Sequence, residues 1–468
     1  MDLKQGSHIH LMGICGTAMA SLAGLLKDRG FKVSGSDANP YPPMSTQIES
    51  LGIEIKKGYS AANLHPKPDF VVVGNVISRG NAEAEELEKL SIPFTSLPKA
   101  MGEYIIANHE CINISGTHGK TTTTSLMSWL LDQLGEKPGF LIGGIPKNFS
   151  YSFRNPVKKY FVIEGDEYDT AYFDKVPKFT HYRPKHTILT SVEFDHADIY
   201  KDLDDVKKAF AQLIKLTPED GTLIYCADEK NVADLVKSSK TKNRFGYGLK
   251  SDDYLVKNFQ ASPEFSNFDL SFIGVELGNF KVPMSGIYNV MNTVACIAML
   301  HQLQFPLAEI KKHLLTFQGV KRRQEILGEP NGKLVIEDFA HHPTAVKETI
   351  LGIKQKYPQR RVFAVFEPRS ATSRRKVFQN DYVEAFLNAD QVILMKPFDQ
   401  SKIGESDRFS TTELIEDLDK RDKKAVEFEQ VDQIVEFLKT HTQKGDLILI
   451  MSNGGFDGIY TKLLKSLA

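Results

Sequence analysis

The sequence predicts an α/β protein in which three successive blocks of strands and helices follow one another along the chain. Two observations carry this prediction. Short apolar runs alternate with amphipathic helical patterns from residue 9 onward, which is typical of βα units and parallel sheets. The length of 468 residues also exceeds what one hydrophobic core usually organises, so we expect three domains.

The three predicted domains cover residues 1–108, 109–321 and 322–468. In the first, a glycine turn separates the first strand from a helix, which is typical of Rossmann-like domains. The second includes a polar stretch, 240–284, that we expect to be less regular. The predicted strands are His8–Met12, Lys32–Gly35, Phe70–Val73, Cys111–Ser115, Tyr160–Ile163, Thr187–Thr190, Thr222–Cys226, Leu334–Ile336, Arg361–Phe366, Gln391–Met395 and Asp446–Met451.

Composition excludes several classes of function. The 58 Lys and Arg residues nearly balance the 59 Asp and Glu residues, so no global field recruits nucleic acid or an anionic membrane. The four cysteines lie far apart without CxxC spacing, which argues against a zinc cluster or a disulfide framework. The sequence has neither a secretory leader pattern nor an apolar run of about 18 residues. We therefore expect a cytoplasmic protein that acts on small molecules; the sequence does not report its oligomeric state.

The strongest motif lies between a predicted strand and a Thr-rich helix. It consists of Gly116, Thr117, His118, Gly119, Lys120, Thr121 and Thr122. A phosphate chain needs close backbone N–H groups, which glycines allow, together with a helix N-terminus and a cation, here Lys120. Thr121 would place its hydroxyl on Mg²⁺, as the Ser or Thr of a P-loop does. The spacing is one residue shorter than GxxxxGKT, yet the context predicts an ATP-binding loop.

Acidic residues follow two apolar strands of the second block, in the runs EGDEYD and EFDH. Mg²⁺ bound between nucleotide phosphates and protein prefers one or two carboxylates, and a neutral imidazole is a less usual ligand. Either run alone is more often a capping or solvated loop. Because a phosphate-binding loop precedes both, we predict that Glu164 and His196 bind Mg²⁺ together with Thr121.

A second glycine turn follows the first strand and contains Gly13, Ile14, Gly16 and Thr17. Asp37 closes the second strand, near the place where dinucleotide folds put a ribose-binding acid. The third glycine of GxGxxG is absent. The pattern therefore favours the diphosphate of another nucleotide over NAD.

Two features of the third block are candidates for a functional site. His341 and His342 are adjacent, but neighbouring residues rarely point at one metal, so we expect an ordinary strand-end loop. The basic run GVKRRQE lies at the predicted boundary of the second and third domains. Solvated charge is its default interpretation, although one arginine could act in a phosphate cleft.

These motifs together resemble the Mur ligases of peptidoglycan synthesis across essentially the whole chain. GTHGKT, the Glu-rich loop, EFDH, GIYNVMNTVA, GVKRRQE and DFAHHPT occur in the family's order. MGICGTAM and GTHGKT resemble the branch that adds L-alanine to UDP-N-acetylmuramate. Other stretches resemble the recycling branch, whose amine substrate is the tripeptide L-alanyl-γ-D-glutamyl-meso-diaminopimelate; they are GNVISRGNAEAE, EGDEYDTAYFDK, HYRPKHTILTSVEFDHADIY, EPRSATSRR and SNGGFDGIY.

The resemblance implies a Rossmann-like N-terminal domain, a central P-loop ATPase-like domain and a C-terminal Rossmann-like domain. It also implies an ATP- and Mg²⁺-dependent amide-bond ligase that joins UDP-N-acetylmuramate to the murein tripeptide through an acyl phosphate. The implied catalytic residues are Lys120, Glu164, His196 and Arg323. Further implied ATP contacts are Asn289, Asn292 and Asp338. The implied UDP-sugar residues are Gly13, Ile14, Gly16, Thr17, Asp37, Asn75, Arg79 and Asn81, and those for the peptide are Arg369, Ser370, Arg374 and Arg375.

Two positions depart from the alanine-adding branch. Arg369–Ser373 replaces the stretch expected to bind the small amino acid, and Tyr288 stands where a histidine is usual in the adenine segment. The alternatives are an alanine-adding ligase, a P-loop NTPase that drives motion without ligation, and a nicotinamide oxidoreductase. Comparing amine donors, measuring ATP turnover without ligation substrates and titrating the nicotinamide cofactor would separate them.

Overall fold

The computed structural model describes residues 4–40 and 44–468, and the chain divides into two compact units. The first unit comprises Met1–Glu193, Asp204–Leu255 and Val294–His313, and the second comprises Phe194–Leu203, Val256–Thr293 and Leu314–Ala468. Most strand pairs are parallel and are connected by helices, so the predicted α/β class is confirmed. Among the described residues, no helix combines the length and the apolar character that crossing a membrane requires.

The first unit opens with a five-stranded parallel sheet in the order β3-β2-β1-β4-β5. Its strands are β1 (His8–Met12), β2 (Lys32–Asp37), β3 (Glu54–Lys57), β4 (Phe70–Val73) and β5 (Phe94–Ser96). Its helices are α1 (Thr17–Asp28), α2 (Met44–Ser50), α3 (Ala82–Lys89) and α4 (Leu97–Ala100). Because β4 is an unbroken apolar run, FVVV, it is buried on both faces, as expected for an inner parallel strand.

Most of a larger sheet follows within the same unit, in the order β15-β14-β13-β12-β6-β9-β7-β8, and β15 continues into the second unit after Leu255. Its strands are β6 (Glu110–Ser115), β7 (Gly139–Leu141), β8 (Phe153–Arg154), β9 (Tyr160–Gly165), β12 (His186–Leu189), β13 (Thr222–Cys226), β14 (Asn243–Gly248) and β15 (Tyr254–Ala261). A short hairpin of β10 (Asp169–Ala171) and β11 (Asp174–Pro177) leaves it after β9. The helices of this part are α5 (Lys120–Gln133), α6 (Leu203–Leu216), α7 (Lys230–Val236), α8 (Ile287–Gln302), whose residues up to Thr293 belong to the second unit, and α9 (Leu307–Leu314).

The two sheets of the first unit are joined by close packing of α1. A Cβ atom added to Gly24 would lie 1.9 Å from the ring of Phe153, so only glycine lets the helix approach β8 this closely. Arg29 at the end of α1 donates to the side-chain oxygen of Asn155 at 2.7 Å, and Asn155 donates back to the carbonyl of Leu25 at 3.0 Å. These contacts hold the first sheet against the second.

The second unit contains a hairpin of β16 (Ser266–Phe272) and β17 (Val275–Val282) and a six-stranded sheet in the order β18-β19-β23-β20-β21-β22. The sheet strands are β18 (Glu325–Gly328), β19 (Leu334–Asp338), β20 (Val362–Phe366), β21 (Gln391–Met395), β22 (Ala425–Phe428) and β23 (Leu447–Met451). The helices are α10 (Pro343–Lys356), α11 (Gln379–Phe386), α12 (Thr411–Asp419), α13 (Val431–His441) and α14 (Ile459–Leu467). Alternate residues of β20 enter separate hydrophobic clusters on the two faces of the sheet.

The predicted strands are all present, with ends that coincide with the predicted ones or differ by one or two residues. The expectation of an irregular stretch at 240–284 was wrong, because this stretch contains the whole of β14, β15, β16 and β17. Buried and partly exposed residues alternate along β16, and β17 is exposed at several positions. Strands with one solvated face carry many polar residues, which makes them resemble loops in the sequence.

A buried polar cluster joins β1, β2 and α3 of the first sheet. Glu83 at the start of α3 is fully buried, and its carboxylate accepts hydrogen bonds from Ser36 Oγ at 2.6 Å and from the side-chain amide of Asn63. The equally buried His10 ring lies 3.7 Å away. Burial alone would raise the pKa of Glu83, but His10, Ser36 and Asn63 outweigh it and lower the pKa.

The lowered pKa of Glu83 predicts a pH-dependent contribution to stability. The charged carboxylate stabilises the folded state above the unfolded-state pKa of about 4.3, and this stabilisation is lost as the pH falls through the lower pKa of the folded state. We expect Glu83→Gln to cost about 1–3 kcal/mol at pH 7 and less at acidic pH. Thermal unfolding of both proteins between about pH 7 and pH 3 measures this difference. Glu85→Gln, on the exposed side of α3, is the control. An equal loss for Glu83→Gln at every pH would contradict the assignment.

Candidate active site

The phosphate-loop motif connects β6 to α5, as its sequence context predicts. Gly116 and Gly119 have φ values of 136° and 83°, which disfavour residues with a side chain. A Cβ atom at Gly116 would lie 2.1 Å from Thr190 Oγ1, just beyond β12. Ser191 binds the loop through its carbonyl, which accepts from Thr117 N–H at 2.9 Å. The end of β12 therefore shapes the loop.

Lys120, the first residue of α5, points into a cluster of acceptors. Its Nζ donates to the carbonyl of Gly116 at 2.7 Å and to Glu167 Oε2 at 3.2 Å, and lies 4.0 Å from Asp166 Oδ1. Burial alone would lower the pKa of Lys120, but the carboxylates of Glu167 and Asp166 outweigh it and raise the pKa. Lys120 is therefore a cation held by carboxylates of the EGDEYD run.

Thr121 and Glu164, two of the three predicted metal ligands, lie together. Thr121 Oγ1 donates to Glu164 Oε2 at 3.0 Å, and Gly143 N–H donates to Glu164 Oε1 at 2.5 Å. Burial raises the pKa of Glu164, and the charge of Asp166 adds to the rise. A divalent cation would relieve both effects, and two hard oxygen donors suit Mg²⁺. The residues present therefore fit this ion.

Glu193 is a loop-supporting residue that the sequence analysis did not assign. His118 Nε2 lies 2.8 Å from Glu193 Oε2, and the backbone N–H of Glu193 donates to Thr117 Oγ1 at 2.9 Å. Thr122 is buried in the first turn of α5. The signal that could have identified Glu193 is its place in the EFDH run, directly after the strand that flanks β6.

The glycine turn of the first sheet and Asp37 lie together, as predicted. The N–H groups of Gly13 and Ile14 donate to the carbonyl of Ser36 at 2.8 and 3.0 Å. Asp37 accepts from the N–H of Cys15 at 3.0 Å. Gly16 precedes the first residue of α1, Thr17, so the turn leads directly into a helix N-terminus. Such an end suits a diphosphate.

Three further predicted UDP-sugar residues lie between β4 and α3. Asn75 and Arg79 are exposed. Asn81 caps α3, because its side-chain oxygen accepts from Glu83 N–H at 2.9 Å. A Cβ atom at Gly13 would lie 2.9 Å from Val76 Cγ2, so this connection runs beside the glycine turn.

In the second unit, the predicted nucleotide residues of α8 and β19 are strongly hydrogen-bonded. Asn289 donates to the carbonyl of Ser285 at 2.8 Å, and Asn292 donates to Asn289 Oδ1 at 3.4 Å. Asp338 is buried, which raises its pKa, and it accepts from the N–H of Gln324 at 2.8 Å. Gln324 in turn donates to the hydroxyl of Tyr288 at 2.6 Å.

The basic run separates into arginines with different surroundings. Arg322 donates to Glu337 Oε1 at 2.6 Å and to the carbonyl of Gly454 at 2.6 Å, so it ties β19 to the segment after β23. The Arg323 guanidinium lies 4.6 Å from the centre of the Phe339 ring. Arg322 therefore links parts of the C-terminal sheet, and the guanidinium of Arg323 lies against the Phe339 ring.

The predicted peptide residues form one loop after β20. Arg369 stacks 3.9 Å from the centre of the Phe398 ring and donates to Glu367 Oε1 at 3.2 Å. Ser370 accepts from the N–H of Ser373 at 2.9 Å and closes the turn. The other two predicted peptide residues have surroundings that differ from those of Arg369. Arg374 donates to the carbonyls of Ser370 and Asp399, and the Nε of Arg375 is buried without a hydrogen-bond partner among the described residues.

His196, the third predicted metal ligand, belongs to the second unit. It has a φ of 54° and follows Asp195, which accepts from Thr372 Oγ1 at 2.7 Å. Burial opposes the ionisation of Asp195, but the rings of His341, His196 and His342 outweigh it and hold its pKa well below the usual range. Asp195 and Thr372 were not identified from the sequence, because they are 177 positions apart.

Three family descriptions match successive parts of the chain. They are the Mur ligase family catalytic domain at residues 8–109, the Mur ligase middle domain at 114–300 and the Mur ligase glutamate ligase domain at 322–454. The three-part family architecture implied by the motifs is therefore confirmed.

Individual relatives match over nearly the full length. A UDP-N-acetylmuramate–L-alanyl-gamma-D-glutamyl-meso-2,6-diaminoheptandioate ligase of Escherichia coli is 38% identical over 467 residues, covering 98% of each chain. A UDP-N-acetylmuramate–L-alanine ligase of Clostridium tetani is 33% identical, covering 97% of this chain and 96% of its own. The crystal structure of a murein peptide ligase from Psychrobacter arcticus has a TM-score of 0.73 at 36% identity and covers 99% of both chains.

Motif order, the geometry around Lys120 and the matches along the chain agree. The chain belongs to the Mur ligase family of ATP-dependent ligases.

Proposed function

We propose that this protein uses ATP to join the lactyl carboxylate of UDP-N-acetylmuramate to the amine of L-alanyl-γ-D-glutamyl-meso-diaminopimelate, in peptidoglycan recycling. One observation carries the choice of amine. The relative named for this tripeptide is 38% identical, whereas the relative named for L-alanine is 33% identical at nearly equal coverage. The alternative is the alanine-adding ligase of de novo synthesis.

The proposed division of labour follows the predicted domains. Residues 1–108 bind the UDP-sugar, 109–321 bind ATP and 322–468 bind the amine. The glycine turn at Gly13 and Asp37 supply the UDP-sugar site, with Asn75 and Arg79 beside it. The capping bond of Asn81 argues for a supporting role within that site.

Activation of the carboxylate is the central step of the proposed mechanism. A carboxylate resists attack by an amine, so transfer of the ATP γ-phosphoryl group to it gives an acyl phosphate whose phosphate then leaves. Lys120 would stabilise the charge on the transferring group, because its ammonium lies at the loop and helix N-terminus where phosphates bind. Asn289, Asn292, Asp338 and Arg323 are proposed ATP contacts on the family pattern.

Thr121 and Glu164 are the proposed Mg²⁺ ligands, with His196 as a third on the family pattern. When bound, the ion neutralises charge on the phosphate oxygens. Glu164 keeps its orientation through Gly143 N–H, and the Thr121 hydroxyl is presented by the first turn of α5.

Arg369 is the proposed anchor for a carboxylate of the tripeptide. Stacking on Phe398 fixes the guanidinium plane, and the side chain is 33% exposed. A planar guanidinium binds a carboxylate through two parallel hydrogen bonds, which a lysine cannot do. Arg374 and Arg375 are proposed to support the loop, because Arg374 already binds its carbonyls.

The choice of amine predicts the outcome of a substrate comparison. We expect phosphate release from ATP and UDP-N-acetylmuramate to require the tripeptide and to be much slower with L-alanine at equal concentration. The measurement is phosphate release with each amine supplied singly, with product mass as confirmation and an amine-free reaction as control. Faster turnover with L-alanine would sink the tripeptide assignment and favour the alanine-adding alternative.

The position of Lys120 predicts a selective loss of chemistry. We expect Lys120→Met to slow ligation by about 10²–10³-fold or more while UDP-sugar affinity stays unchanged, because the lost cation acts on the transferring phosphoryl group. Steady-state phosphate release and calorimetric titration with UDP-N-acetylmuramate measure the two effects. Lys242→Met, at an exposed lysine, is the matched control. Normal turnover by the Lys120 variant would refute the site.

The stacking of Arg369 predicts that its substitution changes the KM for the tripeptide but not the KM for ATP. We expect Arg369→Lys to raise the KM for the tripeptide about 10-fold or more, because a lysine loses the bidentate geometry, while the KM for ATP stays unchanged. Initial rates with each substrate varied in turn test this. Arg421→Lys, at an exposed surface pair, is the control. A change confined to the KM for ATP would place Arg369 elsewhere in the mechanism.

A further inference from the structure

Lys178 follows the β10–β11 hairpin in the sequence but lies beside the acidic run that precedes this hairpin. The acidic run leaves β9, forms the β10–β11 hairpin and comes back as a short turn that begins at Lys178. There the Lys178 ammonium donates to Asp166 Oδ2 at 2.9 Å and to the hydroxyl of Tyr168 at 2.9 Å, and it lies 4.0 Å from the centre of the Tyr168 ring. The side chain is 12% exposed.

Asp166 stands between two lysines. Its Oδ2 pairs with Lys178 at 2.9 Å, and its Oδ1 lies 4.0 Å from Lys120, which is beyond a hydrogen bond. Asp166 is therefore a carboxylate whose charge is directed mainly to Lys178.

The β10–β11 hairpin, which precedes Lys178, is supported by contacts that lie away from the phosphate loop. Asp174 at its far side accepts from Ser96 Oγ at 3.3 Å and pairs with His181 at 2.8 Å. The ring of Phe173 meets that of Phe94 edge to face at 5.0 Å. Ser96 and Phe94 belong to β5 of the first sheet. The hairpin that precedes Lys178 is thus supported by packing that does not involve the phosphate loop.

We propose that Lys178 is a positioning residue for Lys120: by binding Asp166 it keeps this carboxylate from drawing the Lys120 ammonium away from the phosphates. Without Lys178, Asp166 has Lys120 as the remaining cation among its named partners, and the site gains one uncompensated negative charge where ATP must bind. This inference rests on the proposed role of Lys120 in ATP binding.

The test is titration of the full-length protein with adenylyl imidodiphosphate and Mg²⁺. We expect K178M to weaken binding about 10-fold or more, as one uncompensated charge in a partly buried site would. K178R keeps the charge and should bind nearly as well as the unmodified protein. The double variant D166N/K178M removes both charges and should recover most of the loss, a coupling that a merely structural role would not produce.

Binding by K178M within about twofold of the unmodified protein, or no recovery in D166N/K178M, overturns the proposal. If K178M does not fold, the double variant decides: affinity near that of the unmodified protein supports the proposal, and a loss of about tenfold overturns it. Binding by K120M distinguishes failure of the inference about Lys178 from failure of the proposed function. Weak binding by K120M with normal binding by K178M rejects only the role of Lys178, whereas normal binding by K120M rejects the phosphate site itself.

Discussion

Two lysines and three carboxylates share one largely buried region beside the loop between β6 and α5, and the ion pairs between lysines and carboxylates offset the cost of burying charge there. An isolated charge in such a place would carry a large desolvation cost. Lys120 is paired with Glu167, and Lys178 with Asp166. Glu164 accepts instead from Thr121 and from Gly143 N–H, and burial together with the charge of Asp166 raises its pKa. Positive and negative charges are thus paired around the two lysines. Glu164 lies outside these pairs and is a proposed ligand of the divalent ion.

Sheet order explains how these groups meet. β6 lies between β9 and β12, and all three strands are parallel. Their carboxyl ends therefore open at one edge, where ligands of α/β sheets bind. β6 contributes the glycine loop, β9 the acidic run, and β12 the residues that shape the loop from its other side. Neighbouring strands thus supply the cation, the carboxylates and the scaffold.

The sequence predicted the parts of this arrangement that depend on residues close together in the chain. A strand, two glycines, a lysine and a threonine in order predict a phosphate loop, and β4 is recognisable as a continuous apolar run. The pairing of Asp166 with Lys178 depends on how the intervening hairpin folds, and that of Asp195 with Thr372 on how distant segments meet. Residue types alone encode neither. Asn81 was assigned to a ligand on the family pattern, yet its side chain caps α3. β16 and β17 were missed because many of their residues are polar and partly or fully exposed, which makes these segments resemble loops in the sequence.

The tight approach of α1 to Phe153 has a consequence for substrate size. Gly24 lets the helix that follows the glycine turn rest directly on β8, and Arg29 and Asn155 lock the contact. The turn proposed for the uridine diphosphate and the loop proposed for ATP therefore belong to one compact unit with a set separation. A substrate held at the first must span that separation to offer its carboxylate to Lys120. Under the proposed assignment, the packing of α1 therefore fixes the length that the sugar must have to link the diphosphate to the reacting carboxylate.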